Sequence, residues 1–411
     1  MRDNRLAATL HAAGRDVVLM PLYTPLRTDE RDVSRSPIYY GGINVFLQQR
    51  SALLRRLPRW LTAWLDSPAI LRRAMRFSGS TGAAELGAMT VSVLRGEQGA
   101  QRKELEHLID GLRLLKPDLI NLPFLMFVGL ARPLKDAFAV PVVCTLSGED
   151  IFLDELPEPH RGEARRLIRE GAEHVDGLIA VSRYYAQHAT RHFDLPADRV
   201  HVVPLGVQVE DFAGEAQPPA SPFTIGYLAR ICPAKGLMNL CEALVELRRM
   251  GRDCRIRAAG YLGATDRWYL GSVRAYLRDH SAAEAFDYGG EVDRAGKIEL
   301  LRSSHVFSVP TAYREAKGVF VIEALAAGVP VVQPRHGSFP ELIETTGGGL
   351  LYDPADNKAL AQSIARLMDD DPLRRQLGQH GRAGVRASFT DTAMAEKTWT
   401  IYESIRAQHR P

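Results

Sequence analysis

Nothing in this chain of 411 residues approaches the ~18 uninterrupted apolar residues of a membrane span. No apolar leader opens it, so a cytoplasmic location is expected. Cysteine is scarce: Cys144, Cys232, Cys241 and Cys254 are the four present, and they lack metal-ligand spacing. They lie mostly in apolar strand-like or helical runs, which suits reduced, buried thiols. An excess of either charge is also missing. The 52 basic and 49 acidic residues leave a net charge of +3, which gives no reason to expect nucleic acid as a partner. What remains is an ordinary globular composition, 45% hydrophobic and 25% charged. The length exceeds what one core supports and suits two domains of roughly 200 residues each.

Short apolar runs alternate with longer amphipathic ones, the pattern of repeated βα units and parallel sheets. In the first half the expected strands are Asp16–Leu22, Asp118–Asn121, Val140–Thr145, Gly177–Val181 and Val200–Val203. Helical patterns such as Lys103–Leu115 and Glu163–Glu173 separate them. Val207–Pro222, with Gly214, Pro218, Pro219 and Pro222, reads as a linker. Alternation resumes with Phe223–Leu228, Arg255–Ala259, His305–Val309, Val329–Gln333 and Leu350–Tyr352. The expectation is α/β: two doubly wound domains, residues 1–207 and 208–389, facing a cleft. A last helix near Thr392–Gln408, with Trp399, Ile401, Tyr402 and Ile405 at helical spacing, should pack back on the first domain.

The opening departs from this plan. A helical pattern, Arg5–Ala13, comes before any strand, whereas a doubly wound domain begins with a central strand and a glycine-rich turn. The first strand of the N-terminal domain is therefore expected to lie upstream of Met1. Between Arg50 and Arg76, seven arginines (50, 55, 56, 59, 72, 73 and 76) face one acid, Asp66, with Trp60, Trp64, Leu57, Leu61 and Leu65 interleaved. This segment reads either as an acceptor-lid helix pair whose apolar side is core or as an amphipathic surface for a charged acceptor or for the anionic lipid of a membrane's inner face.

Two motifs carry chemistry. Arg230-Ile-Cys-Pro-Ala-Lys235-Gly236 follows the apolar run Phe223–Leu228, so its turn brings two cations to a strand's carboxyl end. A guanidinium there suits phosphate oxygens bidentately. Glu315-Ala-Lys-Gly-Val-Phe-Val-Ile-Glu323 places its carboxylates eight residues apart, around a glycine that should open a helix. Amides at Gly318, Val319 and Phe320 can then face a phosphate with the helix's N-terminal partial charge behind them. Carboxylates accept hydrogen bonds from vicinal diols. The combination suits a diphosphate flanked by sugars, a nucleotide-sugar donor. Asp369-Asp370-Asp371, by contrast, lies between helical runs and reads as a helix boundary, not a metal site.

These motifs, with Gly328-Val-Pro-Val and Gly337-Ser-Phe-Pro340-Glu341, run in order from about Val202 to Ala387. In this the second half resembles the donor domain of family 4 retaining glycosyltransferases, which have the GT-B architecture. The resemblance implies that Arg230 and Lys235 hold the diphosphate, Glu323 the ribose and Glu315 the donor sugar. Ser338 and Phe339 would line the sugar-phosphate pocket, and Gly290, Glu291 and Val292 would bracket the nucleobase. Arg230, Lys235 and Glu315 are the catalytic candidates.

Two departures stand out. Relatives usually carry Phe or Gly where this chain has Lys317, whose role is left open. Many also carry His-Gly-x-Asp where this chain reads Ser147-Gly148-Glu149-Asp150. Ser147, Glu149 and Asp150 become the acceptor-side candidates. No cofactor or metal is expected, because two cations and a helix terminus already face the diphosphate. The leading function is transfer of a hexose-type sugar from a nucleoside-diphosphate sugar to a hydroxyl of a sugar, lipid or small molecule. The alternatives are a GT-B hydrolase or epimerase of nucleotide sugars and a catalytically silent nucleotide-sugar-binding protein.

Overall fold

A computed structural model describes residues 2–23, 28–35, 37–51, 70, 83–214, 216–356 and 358–409. The chain divides into two compact units: Met1–Pro204 with Ala395–Pro411, and Leu205–Met394. Of the arginine-rich segment, only Arg50, Ser51 and Ile70 are among the described residues. Arg50 belongs to a helix, Gly42–Arg50, and its guanidinium pairs with Glu85.

The first unit is built on a parallel sheet of β1 (Ile120–Leu122), β2 (Val142–Leu146), β3 (Gly177–Ala180) and β4 (Val200–Val202), in chain order. Every residue of β2 and β3 is buried, as in strands covered by helices on both faces. The helices Ala131–Phe138, His160–Ala172 and Arg183–Phe193 make the crossovers. The opening helix spans Arg2–Ala12.

Asp16–Leu22 is not a strand, which corrects the sequence expectation. Its carbonyls pair locally instead: Leu19 O accepts from Arg35 N at 2.9 Å and Pro21 O from Tyr39 N at 3.0 Å. Among the described residues only an isolated bridge, Leu22 to Tyr39, results. Pro21 has no N–H to give a ladder, so the apolar run turns to Arg35 and Tyr39 nearby.

The second unit holds β5 (Phe223–Leu228), β6 (Cys254–Ala259), β7 (Phe286–Tyr288), β8 (Val306–Phe307), β9 (Val331–Pro334) and β10 (Gly349–Tyr352). All pair in parallel, in the order β10-β9-β8-β5-β6-β7. The chain winds one way from β5 through β6 to β7, then restarts on the other side of β5 with β8. The β5/β8 boundary is therefore the switch point, where ligands of open α/β sheets bind beyond the strands' carboxyl ends. Strand β7 escaped the sequence reading. Its three residues, with Asp287 central, are too few for a periodic signal, and pairing with β6 creates it.

The last helix spans Asp391–His409. Ile405, buried, fits where Gly177 has no side chain: a Cβ there would come within 2.4 Å of Ile405 Cδ1. Trp399 is half-buried beneath the Arg15 guanidinium, 4.8 Å from its ring centre. Among the described residues, no helix is long and apolar enough to cross a membrane. None of the four cysteines forms a disulfide, and Cys144, Cys241 and Cys254 are buried.

Candidate functional site

The site in the second unit is assembled from loops leaving β5, β8 and β9. After β5 the chain makes a single turn, Pro233–Lys235, closed by Gly236 at φ +70°. A Cβ on Gly236 would lie 1.8 Å from Pro310 O, so only glycine lets this turn pack on the loop after β8. Ala312 N donates to Ala234 O at 3.0 Å and fixes the two loops together.

That packing brings Lys235 to Glu315 across eighty residues of sequence. Lys235 Nζ donates to Glu315 Oε2 at 2.7 Å, and Tyr313 OH donates to the same oxygen at 2.7 Å. Lys235 also contacts Tyr313 OH and lies over the rings of Tyr313 and Phe320, at 4.9 and 5.3 Å. Lys317 N donates to Glu315 Oε1 at 3.1 Å. Burial pushes the Glu315 carboxyl up, but Lys235, Tyr313 and the Lys317 amide together outweigh it and hold it below its ordinary range. The Glu315 carboxylate is thus fixed and charged, and Lys235 is neutralised by it.

The Val319–Ala326 helix starts at Gly318, φ +62°, close to the expected position. A Cβ there would meet Leu342 Cδ1 at 2.5 Å and Ser338 Oγ at 3.4 Å. Val321 N already donates to Gly318 O at 2.9 Å, while the amides of Val319 and Phe320 precede any intrahelical carbonyl. Ser338 Oγ is fully buried beside them and has no hydrogen-bond partner among the described residues. Ser338 N donates to Glu315 O at 2.7 Å, which locks the loop after β9 to the loop after β8. Phe339 is fully buried, its ring 6.0 Å from that of Phe320. Val319 and Phe320 are half-buried at the helix start, and Lys317 is exposed.

Arg230 and Glu323 have partners that sequence reasoning missed. Arg230 donates to Asp266 at 2.7 Å and stays more than half exposed. Glu323, buried, accepts at Oε1 from Lys297 Nζ at 2.8 Å. Lys297 carried a readable signal: it lies on the same helical stripe as buried Leu300 and Leu301, where a charge is out of place. Asp266 and Tyr313 carried none, since nothing in their local patterns points to Arg230 or Lys235.

Gly290, Glu291 and Val292 follow β7, two strands across from β5. Gly290 O accepts from Gly260 N at 2.8 Å, tying this stretch to the loop after β6. The acidic run is a helix boundary: Asp369 ends one helix and pairs with Arg252, Asp370 caps Leu373 N at 2.9 Å, and Asp371 pairs with Arg374 and Arg375.

In the first unit, Ser147, Glu149 and Asp150 follow β2. Ser147 N reaches both Glu149 carboxylate oxygens at 2.9 Å, and Tyr185 OH donates to Oε2 at 2.9 Å. Burial, then the Glu149 and Asp150 charges, push the Tyr185 hydroxyl far up, so it remains a donor. Glu149 is spent on shaping the loop. Asp150 meets His188 Nε2 at 3.0 Å through Oδ2, while its buried Oδ1 has no hydrogen-bond partner among the described residues.

Known proteins of similar sequence and fold place the chain in a family. Residues 209–384 match the family model "Glycosyl transferases group 1" and residues 100–211 the model "Glycosyltransferase Family 4". A D-inositol 3-phosphate glycosyltransferase of Corynebacterium diphtheriae is 25% identical over 402 residues, 88% of this chain and 89% of that protein. Among solved structures, a sucrose-phosphate synthase of Thermosynechococcus elongatus superposes at a TM-score of 0.69 with 19% identity, over 98% of this chain and 92% of its own. Anabaena Alr3699/HepE in complex with UDP gives 0.64 at 18% identity, over 80% of this chain and 98% of its own.

Proposed function

Because the chain belongs to the family 4 glycosyltransferases, enzymes of GT-B architecture, we propose that it moves a hexose-type sugar, with retention, from a nucleoside-diphosphate sugar to an acceptor hydroxyl. The observation that carries this reading is the convergence at the β5/β8 switch point. Lys235, Glu315, the Gly318-capped helix start and the buried Ser338 Oγ, which has no hydrogen-bond partner among the described residues, all meet there.

In the proposed complex the diphosphate lies against the first-turn amides and Ser338, and draws Lys235 and Arg230 from their carboxylates. Glu315 accepts from hydroxyls of the donor sugar and Glu323 from the ribose. The bond from the anomeric carbon to the leaving phosphate oxygen breaks as the acceptor oxygen bonds to the same face. The leaving oxygen takes the acceptor's proton, so no protein nucleophile is needed. Charge developing on the diphosphate is met by fixed cations and amides, commonly the largest catalytic contribution. The scheme therefore calls for no metal. On the acceptor side Asp150, whose buried Oδ1 has no hydrogen-bond partner among the described residues, is the candidate for holding the acceptor.

A panel of UDP- and GDP-sugars, followed by thermal shift and then by nucleotide release with and without acceptor, tests the reading. We expect one donor to stabilise the protein and its nucleotide to be released faster when a hydroxyl acceptor is present, with a glycosylated product. Release unchanged by any acceptor, with free sugar as product, would make the protein a hydrolase instead.

A further inference from the structure

Glu323 and Lys297 form the most enclosed ion pair of the second unit's site. Their side chains are 5% and 8% exposed, and Nζ lies 2.8 Å from Oε1. Lys297 comes from the Arg294–Arg302 helix and Glu323 from the Val319–Ala326 helix, so the pair joins two elements that leave different strands. A buried pair of this kind is poor grounds for stability, since removing two charges from water costs about as much as their attraction returns. What it supplies is orientation. One carboxylate oxygen is anchored by a cation, and the other, Oε2, has no hydrogen-bond partner among the described residues.

The free oxygen is well placed for a ligand. Glu323 is the fifth residue of its helix, so its Cα stands about 6 Å along the axis from the first-turn amides. That is roughly the span from a nucleotide's phosphate to the far side of its ribose. A carboxylate free to rotate would offer either oxygen in many directions. One pinned by Lys297 offers a single acceptor in a fixed direction.

We propose that Lys297 is a positioning residue for the donor: it pins Glu323 Oε1 so that Oε2 accepts from the ribose hydroxyls, and it thereby sets the preference for ribonucleotide donors. This rests on the reading of Glu323 as the ribose ligand. Lys297 does not itself touch the nucleotide. Its effect is felt only by nucleotides that carry the hydroxyls.

The test compares UDP and GDP with their 2′,3′-dideoxy forms by calorimetry, on the full chain, and follows whichever base binds. The wild type should prefer the ribonucleotide by about 10-fold or more, the scale of a hydrogen bond to a charged group. Glu323→Ala should abolish the preference. Lys297→Met should reduce it to within about 2-fold while leaving dideoxynucleotide affinity unchanged, and Lys297→Arg should restore most of it. Should Lys297→Met fail to fold, Lys297→Gln, which keeps a donor but no charge, carries the same comparison.

A wild type indifferent to the hydroxyls would sink the ribose reading of Glu323, and this proposal with it. A wild-type preference abolished by Glu323→Ala but intact in Lys297→Met and Lys297→Gln would overturn the role of Lys297 alone. Equal loss for both nucleotide forms in the lysine variants would also overturn it, because a purely structural role predicts that result.

Discussion

Replacing Glu315 should make the protein bind its product nucleotide more tightly while turning over more slowly. Lys235 Nζ is 2.7 Å from Glu315 Oε2, so the lysine is paired with the site's own carboxylate. A phosphate sharing that ammonium would lie about 5 Å from the Glu315 oxygens, two N⁺–H···O⁻ contacts apart. At that separation the repulsion per unit of phosphate charge is about 0.8 kcal/mol at the dielectric of water and about 3 kcal/mol at an effective value of 20. The side chains of Lys235 and Glu315 are only 20% and 7% exposed, so the local dielectric lies between these limits. Glu315→Gln removes the repulsion, and the amide keeps the shape and can still accept from Tyr313. Nucleoside-diphosphate affinity should rise about 5- to 150-fold, equivalent to about 1–3 kcal/mol.

Calorimetry with the free nucleoside diphosphate measures this, and added salt should shrink the gain. The Glu315 carboxyl is held below its ordinary range, so it stays ionised throughout neutral pH and the gain should be constant from about pH 6 to 8. Turnover of the nucleotide sugar should fall in the same variant, because the sugar loses its acceptor. Unchanged or weaker nucleotide binding by Glu315→Gln would show that Lys235 and Glu315 do not compete as argued. Lys235 would then have to be removed from the diphosphate site.

Arg230→Ala and Lys235→Ala should each weaken nucleoside-diphosphate binding by about 1.5–3 kcal/mol, and unchanged affinity in both would take these residues out of the site. Chelator should leave sugar transfer largely intact; activity lost in chelator and restored by Mg²⁺ or Mn²⁺ would refute the charge accounting. His305 should make stability pH-dependent. Burial, with Arg374 nearby, lowers it to about 4, and its Nδ1 accepts from Thr224 N at 3.0 Å. The neutral ring stabilises the fold above the unfolded value of about 6.5, and that contribution is lost as pH falls toward 4, by up to roughly 3 kcal/mol. The urea midpoint of the wild type should therefore drop between pH 7 and 5 more than that of His305→Asn, and parallel curves would contradict the assignment.

The sequence alone determined whatever is written in local spacing. The Arg230–Lys235 turn follows an apolar run that is β5 residue for residue, and Gly318 opens the helix that carries Glu323. Turn chemistry, a helix start and short buried strands are encoded within about ten residues, so periodicity and glycine placement reveal them. The same locality made Asp369–Asp371 readable as a helix boundary. Tertiary structure decided what depends on partners. It put β8 beside β5 and so set the switch point, and it denied Asp16–Leu22 a place in the sheet. It also paired Arg230 with Asp266, Lys235 with Glu315 and Lys297 with Glu323. These charges stand tens of residues apart in sequence, and each could have faced water at little cost. Which carboxylate meets which cation is fixed only when the strands take their order, because that order brings the loops within hydrogen-bond reach.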